Sequence, residues 1–215
     1  TPSNSSAASD VYKRQDKRSQ YNFTDPESSI MKAGNGKHFE QSYNGQVAVD
    51  AEGSMLILGN LITNAPNDKE QLIPVIESVD ENSREIDNVL VDAGYYSGPA
   101  IVEVEKEKDL KIYASVGKKK HGRTVKDLER KEEPELPAKG AKIKEIMEYR
   151  LGTKEGKEKY KLRKQTVEPV FGIIKHVMGF RQFLLRGSEK VSTEWPLICL
   201  AYNELQLIKY GRRYL

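Results

Sequence analysis

Residues 88–96, Asn88-Val89-Leu90-Val91-Asp92-Ala93-Gly94-Tyr95-Tyr96, decide the fold. A short continuous apolar run is the pattern of a strand buried on both faces of a sheet. The run stops at Asp92, so the strand delivers one carboxylate at its C-terminal end, where open α/β sheets place their ligands. Asp92 has two readings at this point: a cap on the turn at Gly94, or a carboxylate with chemistry to perform.

Toward the N-terminus, Tyr43–Asp50 alternates as a strand and Ser54–Ile62 reads as a second, the two making a hairpin around Asp50-Ala51-Glu52-Gly53. Asn67-Asp68-Lys69-Glu70-Gln71 then predicts a helix start, with Asp68 as cap and Gln71 three residues on. Leu72, Ile73, Val75, Ile76 and Val79 suit one helical face. Toward the C-terminus a helix is expected over Pro99–Lys108 and a strand over Leu110–Val116. This order of elements defines an α/β class with a mixed sheet. Helices are expected again over Ala141–Leu151 and from Lys154, interrupted near Pro169 and ended by Gly179, with a last one from Lys190 to Tyr210. The chain thus divides into 1–15, a polar linker over 16–42, an α/β part over 43–116, a flexible insertion over 117–140 and a helical part over 141–215.

The first of these pieces is set apart. Asp10-Val11-Tyr12-Lys13-Arg14-Gln15 back-translates to GAT GTG TAT AAG AGA CAG, the end of a common sequencing-library adapter. Residues 6–15 are therefore expected to be a translated artefact, with natural sequence upstream of Asp16 missing, and are excluded from fold reasoning.

A hydrophobic content of 37% can build a core, and 31% charged residues imply a well-solvated surface. No run reaches the ~18 apolar residues of a membrane span. The single cysteine, Cys199, lies in an apolar run and reads as packing; with no internal disulfide available, a reducing cytoplasm is expected. Residues 1–116 hold 11 Lys/Arg against 19 Asp/Glu, while residues 117–215 hold 24 against 13. Basic charge gathered in one half suggests a polyanion partner, and also suits a solvated lysine-rich surface. Lys118-Lys119-Lys120 allows the same two readings. His38, His121 and His176 lack paired metal spacing, and Trp195 sits among apolar neighbours as a core residue.

Glu168 and Lys175 stand seven residues apart, roughly 700° of helical rotation, which predicts one shared face. An acid and a base so placed suit a cation ligand beside a phosphate contact, and equally a surface ion pair.

Tyr160-Lys161-Leu162-Arg163, Glu168, Phe171-Gly172, Lys175, Gly179-Phe180-Arg181 and Leu185-Arg186-Gly187 together resemble the C-terminal catalytic block of DDE transposases of bacterial insertion sequences, in the branch with a Tyr-Arg-Glu-Lys signature. Asp92-Ala93-Gly94-Tyr95 resembles the second-aspartate strand of that family. Asp25-Pro26-Glu27, Gly45–Asp50, Asn67-Asp68, Glu194-Trp195 and Ala201-Tyr202-Asn203 resemble its other segments. The resemblance implies a ribonuclease-H-like mixed sheet flanked by helices, incomplete at the N-terminus, with two divalent cations (Mg2+ or Mn2+) held by Asp, Asp and Glu. It implies cleavage of transposon ends and strand transfer into target DNA, with duplex DNA as partner and a homo-oligomer on DNA. Asp92 and Glu168 match the second and third ligands, and Lys175 the phosphate-holding lysine; Arg163, Lys164, Arg181, Arg186 and Lys190 are the further expected DNA contacts. Two departures stand out. Counting back from Glu168, the signature Tyr and Arg fall on Lys161 and Lys164, one residue after Tyr160 and Arg163. No first-strand aspartate is present, because Asp50 falls at the hairpin turn; an inactive fragment is therefore expected. The competing expectations are a transposase-derived DNA-binding protein without catalysis and a metal-dependent nuclease of the same fold.

Overall fold

The computed structural model describes residues 21–32, 38–79, 85–117 and 133–211. The adapter-like residues, Lys118-Lys119-Lys120, His121 and most of the expected insertion lie outside the described residues.

Among the described residues, three two-stranded sheets stand where one mixed sheet is expected. Strands β1 (Ser29–Lys32) and β2 (Phe39–Ser42) pair antiparallel within the stretch expected to be a polar linker. A distant anchor explains the order. Buried Asp25 accepts a hydrogen bond from Tyr43 Oη at 2.7 Å and from the Gly187 amide at 3.2 Å. Glu27 accepts from the Ser188 amide at 2.7 Å. Both carboxylates thereby satisfy orphan amides at the start of the last helix, α5 (Ser188–Gly211).

The expected hairpin forms from β3 (Asn44–Val49) and β4 (Ile57–Thr63), with a register slip between Ala48 and Val49. Asp50 closes its turn: the carboxylate accepts from the Glu52 and Ser54 amides at 3.2 Å each and from the Ser54 hydroxyl. Helix α1 (Leu72–Glu77) starts later than its capping pattern predicts. Asp68 does not cap it, because Asn44 Nδ2 and Gln46 Nε2 hold that carboxylate at 2.8 and 2.7 Å.

Strand β5 (Asn88–Val91), helix α2 (Gly98–Lys108) and strand β6 (Lys111–Ala114) make a parallel βαβ unit, in register Val89↔Ile112 and Val91↔Ala114. Strand β6 is buried at Ile112 and Ala114, but all four residues of β5 are only half-buried. The expectation of burial on both faces fails for β5 because one of its edges borders an open cleft.

Helix α3 (Ile143–Gly152) leads into α4 (Lys154–Gly172), which runs straight through Pro169. Neither an interruption nor a fresh start occurs there. The irregularity follows instead, as a π-helical turn over Ile173–Val177 that Gly179 ends at φ +81°. Burial of Val170 and Ile174 holds the helix across the proline.

Among the described residues the apolar side chains form two cores. Leu72, Ile101, Ile112 and Met147 gather α1, α2 and α3 around β6. Val170, Ile174, Trp195 and Tyr202 gather α4, the π turn and α5 against the hairpin at Ile57. Trp195 stacks on Phe171 at 6.2 Å and meets Phe183 edge-on at 6.0 Å. Cys199 packs in the same core, where burial pushes its thiol pKa up to about 12. No helix among the described residues is long and apolar enough to cross a membrane.

Strand β4 passes close to the end of α1 at Gly59. A Cβ there would lie 2.5 Å from Ser78 Oγ and 2.9 Å from both the Ser78 carbonyl carbon and Val79 Cγ2. Backbone cannot yield as a side-chain tip can. Gly59→Ala is expected to lower unfolding free energy by about 1–3 kcal/mol, read as a reduced urea midpoint with unchanged slope.

Candidate active site

Strands β3 and β5 border one cleft of 1410 Å³, and every residue of both strands lines it. The start of β3 lies near the residues that follow β5. Asn44 and Gln46, at the start of β3, hold Asp68, whose Oδ2 lies 3.2 Å from where a Cβ on Gly94 would stand, just past the end of β5.

Asp92 sits at the carboxyl end of β5, as its sequence predicts. Both readings of this residue meet here. Its Oδ1 accepts from the Gly94 amide at 2.7 Å and caps a 3-10 turn over Ala93–Tyr95. Its Oδ2 points to Arg163 Nη1 at 3.9 Å. The side chain is 45% exposed on the cleft, open to solute.

A polar clasp closes this end of the cleft. Tyr95 Oη donates to Gln46 Oε1, and Gln46 Nε2 donates to Asp68, so side chains join the β5 loop to β3 where no backbone bond does. Burial, then the charges of Asp68 and Asp92, hold the Tyr95 phenol well above its usual range. Sequence reasoning reads Asp68 as a helix cap and passes over Gln46 and Tyr95. The available signal was a polar Gln46 in an otherwise apolar alternating strand.

From α4, Arg163 and Tyr160 turn toward Asp92. Tyr160 Oη donates to the Val91 carbonyl at 3.1 Å, and the Arg163 guanidinium lies 5.6 Å from the Tyr160 ring centroid. Arg163 Nε is buried with no hydrogen-bond partner among the described residues. Lys161 and Lys164, on which the signature spacing falls, are exposed on the outer face of α4. Glu168 is exposed too and is absent from the cleft lining, roughly 140° around the helix from Arg163.

Lys175 does line the cleft, 5.6 Å from the Phe171 ring centroid. The shared face expected for Glu168 and Lys175 assumes 3.6 residues per turn, and the π turn at 173–177 breaks that period. Arg181 and Arg186 also line the cleft, on a loop held by buried Glu194, which accepts from the Leu184 and Leu185 amides at 2.9 Å each. Lys190 is exposed on the first turn of α5, outside the cleft. His38 pairs with Glu40 at 2.5 Å and His176 is exposed.

Divalent cations call for several oxygen ligands converging on one point. Among the described residues no three His, Cys, Asp or Glu side chains group in that way. Asp68 and Asp92 converge on Gly94, but the first is held by two amides and the second by a backbone amide. The donor set present does not fit a two-metal centre.

The transposase DDE domain model matches residues 9–203 of the chain, starting inside the adapter-like stretch. Neither the curated proteins nor the solved structures give a match. With the match running over nearly the whole sequence, the chain belongs to the DDE transposase domain family. Members of this family act on DNA and generally use divalent metals.

The clasp is open to direct test. Tyr95→Phe leaves buried Gln46 Oε1 without its donor and is expected to cost about 1–3 kcal/mol in urea unfolding. The raised phenol pKa means that its contribution is complete below the unfolded value of about 10 and lost as pH climbs beyond it. The difference between parent and variant should therefore shrink above pH 10.

Proposed function

We propose that this chain is the catalytic part of an insertion-sequence transposase with a ribonuclease-H-like sheet. The intact protein cleaves DNA at transposon ends and joins them to target DNA with Mg2+ or Mn2+, and this chain by itself is inactive. The observation that carries the reading is Asp92, exposed at the carboxyl end of a parallel strand and flanked by Arg163, in a chain of the transposase family. In the intact protein Asp92 and Glu168 are two of three carboxylates; here Glu168 lies outside the cleft, and among the described residues no third carboxylate groups with Asp92.

The exposed face of α4 supports DNA as the partner. Lys157, Lys161, Lys164 and Glu168 follow one another at spacings of four, three and four residues, which sets them on one stripe of the helix. The three lysines span roughly 10 Å of axis, a length over which duplex DNA offers several phosphates. Lys175, Arg181 and Arg186 add positive charge at the cleft itself.

Two measurements check this. Duplex binding followed by fluorescence anisotropy should weaken with salt, and the Lys157→Ala, Lys161→Ala, Lys164→Ala triple variant should lose about 0.9 per lysine from the slope of log affinity against log salt. No duplex binding by the parent chain would refute the transposase reading. The parent chain is also expected to leave supercoiled plasmid unnicked in Mg2+ and in Mn2+. Nicking that Asp92→Asn abolishes would keep the transposase and overturn its inactivity.

A second reading, a transposase-derived DNA-binding protein without catalysis, is favoured by one feature: both Asp92 oxygens already face protein donors, and Glu168 lies outside the cleft that Asp92 borders. It predicts the same salt slope, with no cleavage even when a strand bearing a further aspartate completes the sheet.

A further inference from the structure

We propose that Asp25, Glu27 and Glu194 are positioning residues for a nucleic-acid contact. Together they fix the backbone of residues 184–188, so that Arg186 stands at the cleft ready to meet a phosphate. The inference deepens the proposed function and rests on its duplex partner.

The loop is the first argument. Residues 179–187, between the π turn and α5, form neither helix nor strand. Four of the five amides from Leu184 to Ser188 donate to carboxylates: Leu184 and Leu185 to Glu194, Gly187 to Asp25 and Ser188 to Glu27. Arg186 stands between the two sets. Asp25 and Glu194 are buried, and a buried carboxylate needs donors to satisfy it. Amides of this one loop supply them, with Tyr43 Oη as a further donor to Asp25.

The segment that presents two of these carboxylates is itself braced. Asp25-Pro26-Glu27-Ser28 is a β-turn whose Ser28 amide donates to Asp25 O at 3.2 Å, with Asp first and proline second as that turn prefers. Asn22 Oδ1 accepts from the Thr24 and Asp25 amides at 3.0 and 3.2 Å, and Ser28 Oγ donates to Asp25 O at 2.7 Å. The receiving loop is shaped to match. Gly187 has φ +85°, and a Cβ there would lie 3.2 Å from Glu27 Oε2, so the residue after Arg186 favours glycine on both counts.

Helix capping alone does not account for this. Capping α5 explains the bonds at Gly187 and Ser188, but Leu184 and Leu185 lie outside the helix, and the carboxylate that holds them comes from within it. Meanwhile Arg181 and Arg186 are exposed on the cleft while the backbone around Arg186 is tied. Arg181 Nε donates to the Lys175 carbonyl at 3.3 Å, which links that side chain to the π turn. A cation on a fixed backbone loses less freedom when it meets its partner, so preorganisation of this kind raises affinity without adding a contact.

The test is duplex affinity by fluorescence anisotropy on the 215-residue chain, with a labelled mixed-sequence duplex at one salt concentration. Asp25→Ala removes a negative charge, and charge alone would tighten binding to a polyanion. Positioning gives the opposite sign: affinity is expected to fall about tenfold, and Glu27→Ala, at an exposed residue, to fall in the same direction. Asp25→Asn removes the same charge but keeps an acceptor for the Gly187 amide, and is expected to recover most of the loss. In an Arg181→Ala, Arg186→Ala background, Asp25→Ala should cause no further loss. Should Asp25→Ala not fold, Glu27→Ala in the two backgrounds carries the same test. The inference is overturned if the alanine variants bind as tightly as the parent or tighter, or if Asp25→Asn is as weak as Asp25→Ala. An undiminished loss in the arginine-substituted background marks a defect of the fold and overturns it too. A parent chain that binds no duplex refutes the proposed function and this inference with it, whereas a binding parent with unaffected variants overturns this inference alone.

Discussion

One helix sets the frame. Among the described residues the hairpin and the parallel pair share no backbone ladder, and α4 reaches both. At its N-terminal half, Lys159 Nζ meets Asn88 Oδ1 at 3.1 Å and Tyr160 meets Val91, at the two ends of β5. At its C-terminal end, Val170 enters the core beneath the hairpin. A slide by one turn, about 5.4 Å, would strip both contacts and carry Arg163 away from Asp92. The Tyr95–Gln46–Asp68 clasp then trims the distance between the two β units at one end.

What was legible in the sequence was local. The apolar run ending in Asp92, the hairpin around Asp50 and the helix after Pro99 each follow from a handful of neighbouring residues, and each is present. What was illegible depends on partners far along the chain. Asp68 precedes a helix and so resembles a cap; only folding brings Asn44 and Gln46 to it, and two amides outcompete a helix start. The order of β1 and β2 depends on Asp25 and Glu27 finding amides about 160 residues away. Pro169 has a strong local rule against it, yet buried Val170 and Ile174 override that rule and displace the irregularity by one turn.

That displacement bears on the chemistry. A π turn adds a residue to the helical repeat, so side chains beyond it are rephased relative to those before. Lys175 faces the cleft as a result, while Glu168 remains on the lysine stripe outside. The acid and the base that looked like a pair serve different surfaces. Arg163, in turn, presents its charge to Asp92 with one buried nitrogen unsatisfied, a cost that a fixed scaffold bears for a cation held beside a carboxylate.

The shielded outer edges limit how such chains can associate. Open-ended stacking of β-chains requires each unit to offer one edge outward and receive another, so that every addition exposes a fresh site. Here Asn203 on one flank and the Glu105–Arg150 pair on the other occupy the outward groups at Ile57 and Ile112. Outward strand pairing is thereby blocked at one residue on each flank, Ile57 and Ile112.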